Sequence, residues 1–296
     1  MADLMSRTAF HDGELAAQRA AGLTEEAERV RPIIAGAIPR GAVEFLARQR
    51  MLVLGAADRD GALWATSLHG PEGFLSVADP VTLRARAVVP ATDPLADVLR
   101  DRADVGTLAI ELATRKRFRI NGRWHRVEGG GEITVHQAYG NCPQYIQARA
   151  VLEEAPAGPV PVATRGTALD AEGARLVEAA DTFFIATAAA GGADVSHRGG
   201  KPGFVRVVSP TELVWPDYVG NAMMMTAGNL RLNPAAGLLV PDWRTGATLQ
   251  LTGTAEVRPS AEAATGRETV FRITGSVWTE NAFPTGWSEP VYSRFN

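Results

Sequence analysis

Residues 195–207 read VSHRGGKPGFVRV, and this stretch decides the fold because its frame occurs twice. Two apolar stretches flank a turn holding Gly199, Gly200, Pro202 and Gly203, the composition of a tight corner between short strands. In the first half of the chain, residues 61–70 (GALWATSLHG) and 73–77 (GFLSV) match 192–200 (GADVSHRGG) and 203–207 (GFVRV). Further out, 105–122 (VGTLAIELATRKRFRING) aligns without a gap on 236–253 (AGLLVPDWRTGATLQLTG). The offset is 128 residues at His69/His197 and 131 at Gly106/Gly237, which reads as one fold built twice. The copies differ in chemistry. The second carries Arg198, Lys201 and Arg206, then Asp217-Tyr218-Val219-Gly220-Asn221 and Gly228-Asn229, whereas the first keeps only the glycines and His69 in register.

Around this frame the chain reads as short strands and tight turns. Met51–Ala57 is an apolar run closed by Asp58-Arg59-Asp60-Gly61, a hairpin signal leading into 62–68, and Phe183–Ala189 with Gly191-Gly192 repeats it before 193–197. Short strands are expected at 73–78 and 203–208, short helices at 94–101 and 221–228, and longer strands at 105–112, 117–128, 236–241 and 247–257. A helix over 13–31, ended by Pro32, and another over 41–49 precede them. The class is therefore mainly β (α+β), with two antiparallel barrels and short flanking helices. The domain reading is an N-terminal helical segment (1–40), a first barrel (41–152), a Pro/Gly/Ala-rich linker (153–168) and a second barrel with the C-terminal tail (169–296).

The bulk numbers exclude several classes. The 296 residues suffice for two ordinary cores, and 46% hydrophobic with 21% charged residues is a globular composition. A net charge of −3 gives no electrostatic case for nucleic acid or an anionic membrane. No apolar run is long enough for a membrane-spanning helix, and the N-terminal sequence lacks a secretory pattern. The single cysteine, Cys142, excludes an internal disulfide and fits a reducing compartment, so a cytoplasmic protein is expected.

The second copy points to phosphate chemistry. Arg198, Lys201 and Arg206 stand within nine residues, and Asn221 opens the expected helix, whose free N–H groups would suit a phosphate monoester beside Arg206. Gly199, Gly200 and Gly203 would let a flat ligand approach the backbone. No metal-ligand spacing, Gly-x-Gly-x-x-Gly loop or Walker sequence occurs.

Taken together, SHRGGKPGFVRV, LVWPDYVGN and GNLRLNPAAGLLVPD closely resemble the FMN-binding split barrels of the pyridoxamine 5′-phosphate oxidase-like superfamily. GAVEFLARQRMLVLGAADRDG, LAIELATRKRFRING and QAYGNCPQYIQAR in the first half are similar to its tandem, two-barrel members. The resemblance implies an FMN in a groove between the two barrels, with the first copy serving as partner of the second, and one flavin per chain. It places Arg206 and the start of the 221–228 helix at the phosphate, Ser196, His197 and Arg198 near the ring or ribityl chain, and Asn221 and Asn229 toward the phosphate end. Lys201, Asp217 and Tyr218 complete the expected binding set. The chain lacks the Arg-x-x-x-Leu-Lys strand and the Arg-Leu ending of the biosynthetic oxidases, so pyridoxamine phosphate is not the expected substrate.

The function so implied is an FMN-dependent oxidoreductase acting on a small organic substrate, with oxygen or NAD(P)H as redox partner. The alternatives are a flavin carrier served by a separate reductase, or a relative that holds a deazaflavin or haem. A homodimer is compatible with either.

Four further features have two readings each. His197 is either a proton donor or a hydrogen-bonded turn residue. Cys142 is either a thiolate activated by a helix starting at Pro143 or a groove-lining residue, and the second is favoured. Arg115-Lys116-Arg117 is either a solvated turn or a cluster facing the cofactor groove. Trp287 and Tyr292 either fold over a flat ligand or clamp the tail to the barrel. Met223-Met224-Met225 is expected to pack beneath its loop.

Overall fold

The computed structural model describes residues 8–154, 159–189, 192–282 and 285–295. Three helices lead in: α1 (Asp12–Ala21), α2 (Thr24–Val30) and α3 (Arg40–Ala47). The single helix expected over 13–31 is two, because Gly22 adopts a left-handed conformation (φ 68°) that caps α1 and turns the chain. Pro32 then sits inside a short 3₁₀ turn, Arg31–Ile33.

The first sheet contains β1 (Met51–Ala57), β2 (Leu63–His69), β3 (Leu75–Asp79), β4 (Thr82–Ala85), β5 (Arg102–Glu111), β6 (Lys116–Val127) and β7 (Gly130–Gly140), in the order β2-β1-β5-β6-β7-β4-β3. The connection holds β8 (Val151–Glu154) and β9 (Val162–Gly166), followed by α4 (Ala171–Ala179). The second sheet is built from β10 (Thr182–Ala189), β11 (Gly192–Gly199), β12 (Arg206–Ser209), β13 (Glu212–Pro216), α5 (Met225–Leu232) in crossover, then β14 (Ala235–Pro241), β15 (Thr248–Pro259) and β16 (Arg267–Glu280). Its main path is β11-β10-β14-β15-β16-β13-β12, with β9 added beside β16. Each strand of this path is the one nine places later than its counterpart, so the two halves share one topology.

Even the irregularities are duplicated. Register shifts fall at Asn121/Gly122 and Thr252/Gly253, and again at Val77/Asp79 and Val207/Ser209. Bulges bend a strand and tighten its twist, which a closed barrel needs.

The pairing corrects the sequence register. Gly55 lies opposite Gly106 and Ala186 opposite Gly237, so β1 and β10 correspond at an offset of 131. Met51 pairs with His69, and the corresponding Thr182 pairs with Gly199. His69 therefore corresponds to Gly199, and His197 to Ser67, an offset of 130 rather than 128. A two-residue slip keeps every side chain on its own face, so the apolar pattern could not reveal it.

Other expectations shift too. In place of a helix at 94–101 there is only a 3₁₀ turn, Val98–Arg100, and the expected 221–228 helix begins at Met225. The expected 153–168 linker supplies β9 to the second sheet, although 155–158 lie outside the described residues. The Gly191-Gly192 turn falls partly outside them, and β11 starts at Gly192. The tail is a clamp: β17 (Thr285–Trp287) pairs with β8, and Val291 bridges Ala148.

Each half has its own apolar core, centred on Leu54, Leu68, Phe74, Ile120 and Trp124 in the first and Phe183, Leu213, Trp215, Leu251 and Phe271 in the second. A third cluster joins them, with Met51, Val53, Leu108 and Ile110 against Phe184, Ala186, Val195 and Leu239. The junction is pseudo-symmetric. A Cβ on Gly106 would stand 2.4 Å from the backbone of Asp194, and one on Gly237 would stand 2.6 Å from that of Trp64. Asp194 and Trp64 are themselves counterparts at the offset of 130. On the axis, Gly55 packs on Ala186, where a Cβ would stand 2.5 Å from the Ala186 methyl. Among the described residues no helix is long and apolar enough to cross a membrane.

Candidate functional site

A cavity with about 1010 Å³ of empty space, its mouth included, opens along this junction. Both halves build it. The first contributes Arg117 and Arg119 from β6 and the loop 140–145, and the second contributes His197 and Arg198 from β11, Trp215 from β13 and the loop 216–223. Val30 and Ile33 of the N-terminal segment close one side.

Strand β6 aims two arginines at the junction from one face. Arg119 is buried and spans the junction: its guanidinium donates to Asp194 at 3.1 Å, to Ser196 Oγ at 2.6 Å and to Tyr139 Oη at 3.1 Å. Burial opposes its charge, but the Asp194 carboxylate and Tyr139 more than offset that and hold it protonated. Two residues earlier on the same face stands Arg117, half-buried in the cavity wall. Its pKa falls to about 9, through burial first and then repulsion from Arg119 and Arg198. Among the described residues no carboxylate forms an ion pair with it. Arg198, also in the wall, is lowered by burial, with Asp217 partly compensating and Arg119 adding repulsion.

Arg117 Nη1 lies 3.2 Å from His197 Nδ1. A guanidinium only donates, so Nδ1 accepts and the imidazole is neutral with its proton on Nε2. Burial, followed by Arg117, Arg198 and Arg119, lowers the pKa of His197 well below its ordinary value. That Nε2 is buried without a partner, as are Arg117 Nε, Arg119 Nε, Asn141 Oδ1 and Gln144 Oε1, all on residues lining the cavity. Each such atom costs about 1–3 kcal/mol when nothing meets it. Their clustering here is the signature of a ligand site.

The loop 140–145 forms the opposite wall. Tyr145, at φ 62°, stacks on Tyr218 with ring centroids 4.7 Å apart and planes 17° apart. Its carbonyl explains Gly199, where a Cβ would stand 2.1 Å away. Gly220, at φ 101°, receives Gln144 in the same manner. Gly200 makes room for the Phe204 ring, and Gly203 has φ 87° in the turn. The glycine-rich stretch thus lets protein, rather than ligand, approach the backbone. No helix starts at Pro143, so nothing of that kind activates Cys142, which is exposed and lines the cavity.

The expected site residues divide. His197, Arg198, Asp217, Tyr218 and Asn221 line the cavity. Asp217 is also bound by Arg267 at 2.9 Å, which fixes the loop. Ser196 lies behind the wall, bonded to Arg119 and to Thr226 at 2.9 Å. Asn229 is buried on α5, donating to Thr187 and meeting His11 Nε2 at 2.9 Å, so it anchors the N-terminal helix. Lys201 is exposed in the turn and Arg206 pairs with Glu268 at 3.2 Å; neither lines the cavity. The cations that do are Arg117, Arg119 and Arg198. Arg115 donates to the carbonyls of Ile146 and Val291, so one basic cluster serves the tail clamp and the cavity at once. Met224 and Met225 pack beneath the loop, and Trp287 meets Trp243 edge-on rather than the cavity.

Residues 169–284 match the family model described as pyridoxamine 5′-phosphate oxidase. No curated protein matches the chain. Among solved structures, a putative pyridoxamine 5′-phosphate oxidase from Lactobacillus delbrueckii is 18% identical, covering 37% of this chain and 93% of that one, with a TM-score of 0.30. An FAD-binding protein from Mesorhizobium loti is 16% identical over 44% of this chain and 100% of that one (TM-score 0.29). The FAD binding protein from Mycobacterium smegmatis is 15% identical over 40% and 98% (TM-score 0.28). The matched residues span the second barrel, and the first barrel repeats its topology.

Proposed function

We propose that the chain is an FMN-dependent oxidoreductase acting on a small organic substrate, with oxygen or NAD(P)H as redox partner, and that the flavin occupies the cavity between the barrels. The observation that carries this reading is the surplus of positive charge there. Three guanidiniums meet in one wall, Arg119 is neutralised by Asp194, and Arg117 has no carboxylate partner among the described residues. Like charges held together in a desolvated wall call for an anion. A phosphate monoester supplies it, with Arg117 and Arg198 as the groups that hold it. The stacked Tyr145 and Tyr218 offer a flat aromatic wall to a ring system, and the unpartnered atoms of Asn141, Gln144 and His197 offer it acceptors and a donor. The family model matched by the second barrel supports a flavin as that ligand.

Bound there, the flavin would supply two-electron transfer, while the protein supplies orientation and charge. His197, neutral and with its proton fixed on Nε2, serves as a hydrogen-bond donor rather than an acid. The test has two stages. Titration of the ligand-free protein with FMN and with riboflavin should show FMN binding more tightly by at least about tenfold, because only FMN carries the charge-assisted contact. Equal affinities would refute the phosphate assignment. Steady-state turnover tests the catalytic half of the proposal: NAD(P)H oxidation by the flavin-loaded protein without an added reductase would rule out simple flavin carriage.

A further inference from the structure

The first barrel carries a second cavity, lined in part by counterparts of residues that line the inter-barrel one, but with their polarity reversed. It holds about 610 Å³ of empty space, mouth included. By the strand pairing, Leu68 stands where the second barrel has Arg198. Following the same offset of 130, Ala87, Val88 and Ala91 replace Asp217, Tyr218 and Asn221. Trp124 forms part of the wall, with its indole N–H already bonded to Leu99 O at 2.9 Å, so the ring presents only carbon to the space. Val88, on the lip, is 60% exposed. Two cations complete the lining, Arg100 and Arg126. Among the described residues Arg100 pairs with Asp97 alone, in a largely exposed contact at 3.3 Å, an interaction worth little in water. Arg126 spends one N–H on the Gly130 carbonyl.

We propose that this pocket is a second ligand site, for a small carboxylate with an apolar body such as a medium-chain or aryl acid. Aliphatic residues where the second barrel has Arg198, Asp217 and Tyr218 make it unfit for a polar cofactor. A carboxylate at the mouth would complement Arg100 and Arg126, while its chain would cover Val88, Val89 and Ala91. The site is separate from the inter-barrel cavity and stands whether or not that cavity holds FMN.

Calorimetric titration of the full chain with octanoate tests it, with 1-octanol as the uncharged control. The expected result is saturable binding of one octanoate per chain, unchanged in Arg117→Ala. The double variant R100Q/R126Q should weaken octanoate at least about tenfold and leave 1-octanol nearly unaffected. Ala87→Phe should fill the pocket and abolish both, and Ala91→Phe, at the exposed lip, provides a second filling variant should the first unfold. Absence of saturable binding, loss of binding in Arg117→Ala, or indifference to pocket filling in a folded variant would each overturn the proposal.

Discussion

At the scale of single residues, the account rests on Arg117 and its two neighbours. Arg117→Ala should weaken FMN at least about tenfold in a fluorescence titration, since it removes a charge-assisted contact. Arg206→Ala should leave FMN affinity unchanged, because Arg206 is bound to Glu268 outside the cavity. The same residue sets a pH dependence. With its pKa at about 9, Arg117 is cationic below that pH and neutral above it, so FMN affinity should be level once the phosphate is a dianion, above about pH 7, and fall as pH rises through about 9. A bound anion would move that fall upward. His197 contributes no step between pH 6 and 8, because its lowered pKa keeps it neutral there. A step near pH 6.5 in the affinity for riboflavin, which has no phosphate to titrate, would contradict this arrangement. For stability, Asp194→Ala should cost about 3–5 kcal/mol in urea unfolding, since it leaves buried Arg119 without its carboxylate. Of these residues, sequence identified His197, Arg198 and Asp217 but gave Arg117 two readings and did not single out Arg119. A run of basic residues at a turn reads the same whether it faces water or a neighbouring barrel, and only the packing of the two halves separates the cases.

At the scale of elements, the strands were legible because alternation and Asp-Gly or Gly-Gly turns act locally. The strands expected over 105–112, 117–128, 236–241 and 247–257 appear as β5, β6, β14 and β15 within a few residues of those bounds, whereas the long β7 and β16 were not expected. The helices were less legible. Gly22 splits one helix, and Met224, in a left-handed conformation (φ 55°), delays α5 to Met225. No propensity rule places a methionine there; the buried packing of Met224 and Met225 does. The loop 140–145 looked like a helix start at Pro143, but its conformation is set by contacts with Gly199, Gly220 and Tyr218 on the other half. Gly199→Ala should therefore displace this loop, because the new methyl would meet the Tyr145 carbonyl at 2.1 Å. The expected readout is weakened FMN binding with little change in unfolding midpoint. A variant that binds FMN like the parent would show that the loop does not shape the cavity.

At the scale of the whole molecule, the duplication makes one chain resemble a two-fold pair with unequal halves. Gly106 on Asp194 and Gly237 on Trp64 are the same contact made twice, but only one side surrounds it with cations. Where the inter-barrel cavity has Arg117 and Arg119, the corresponding residues by register are Thr248 and Gln250. Gln250 and Thr66 there bind Asp93, a buried carboxyl raised by desolvation and tempered by those hydrogen bonds, which fills the counterpart groove with the chain's own acid. The fold is symmetric, the chemistry is not, and one flavin per chain follows. The most direct measurement is the stoichiometry of FMN bound by the purified full chain, from absorbance of the released flavin against protein concentration. The account predicts saturation at one FMN per chain, with the Arg117→Ala chain failing to saturate at the same FMN concentration. No uptake of FMN, or saturation near two, would contradict it.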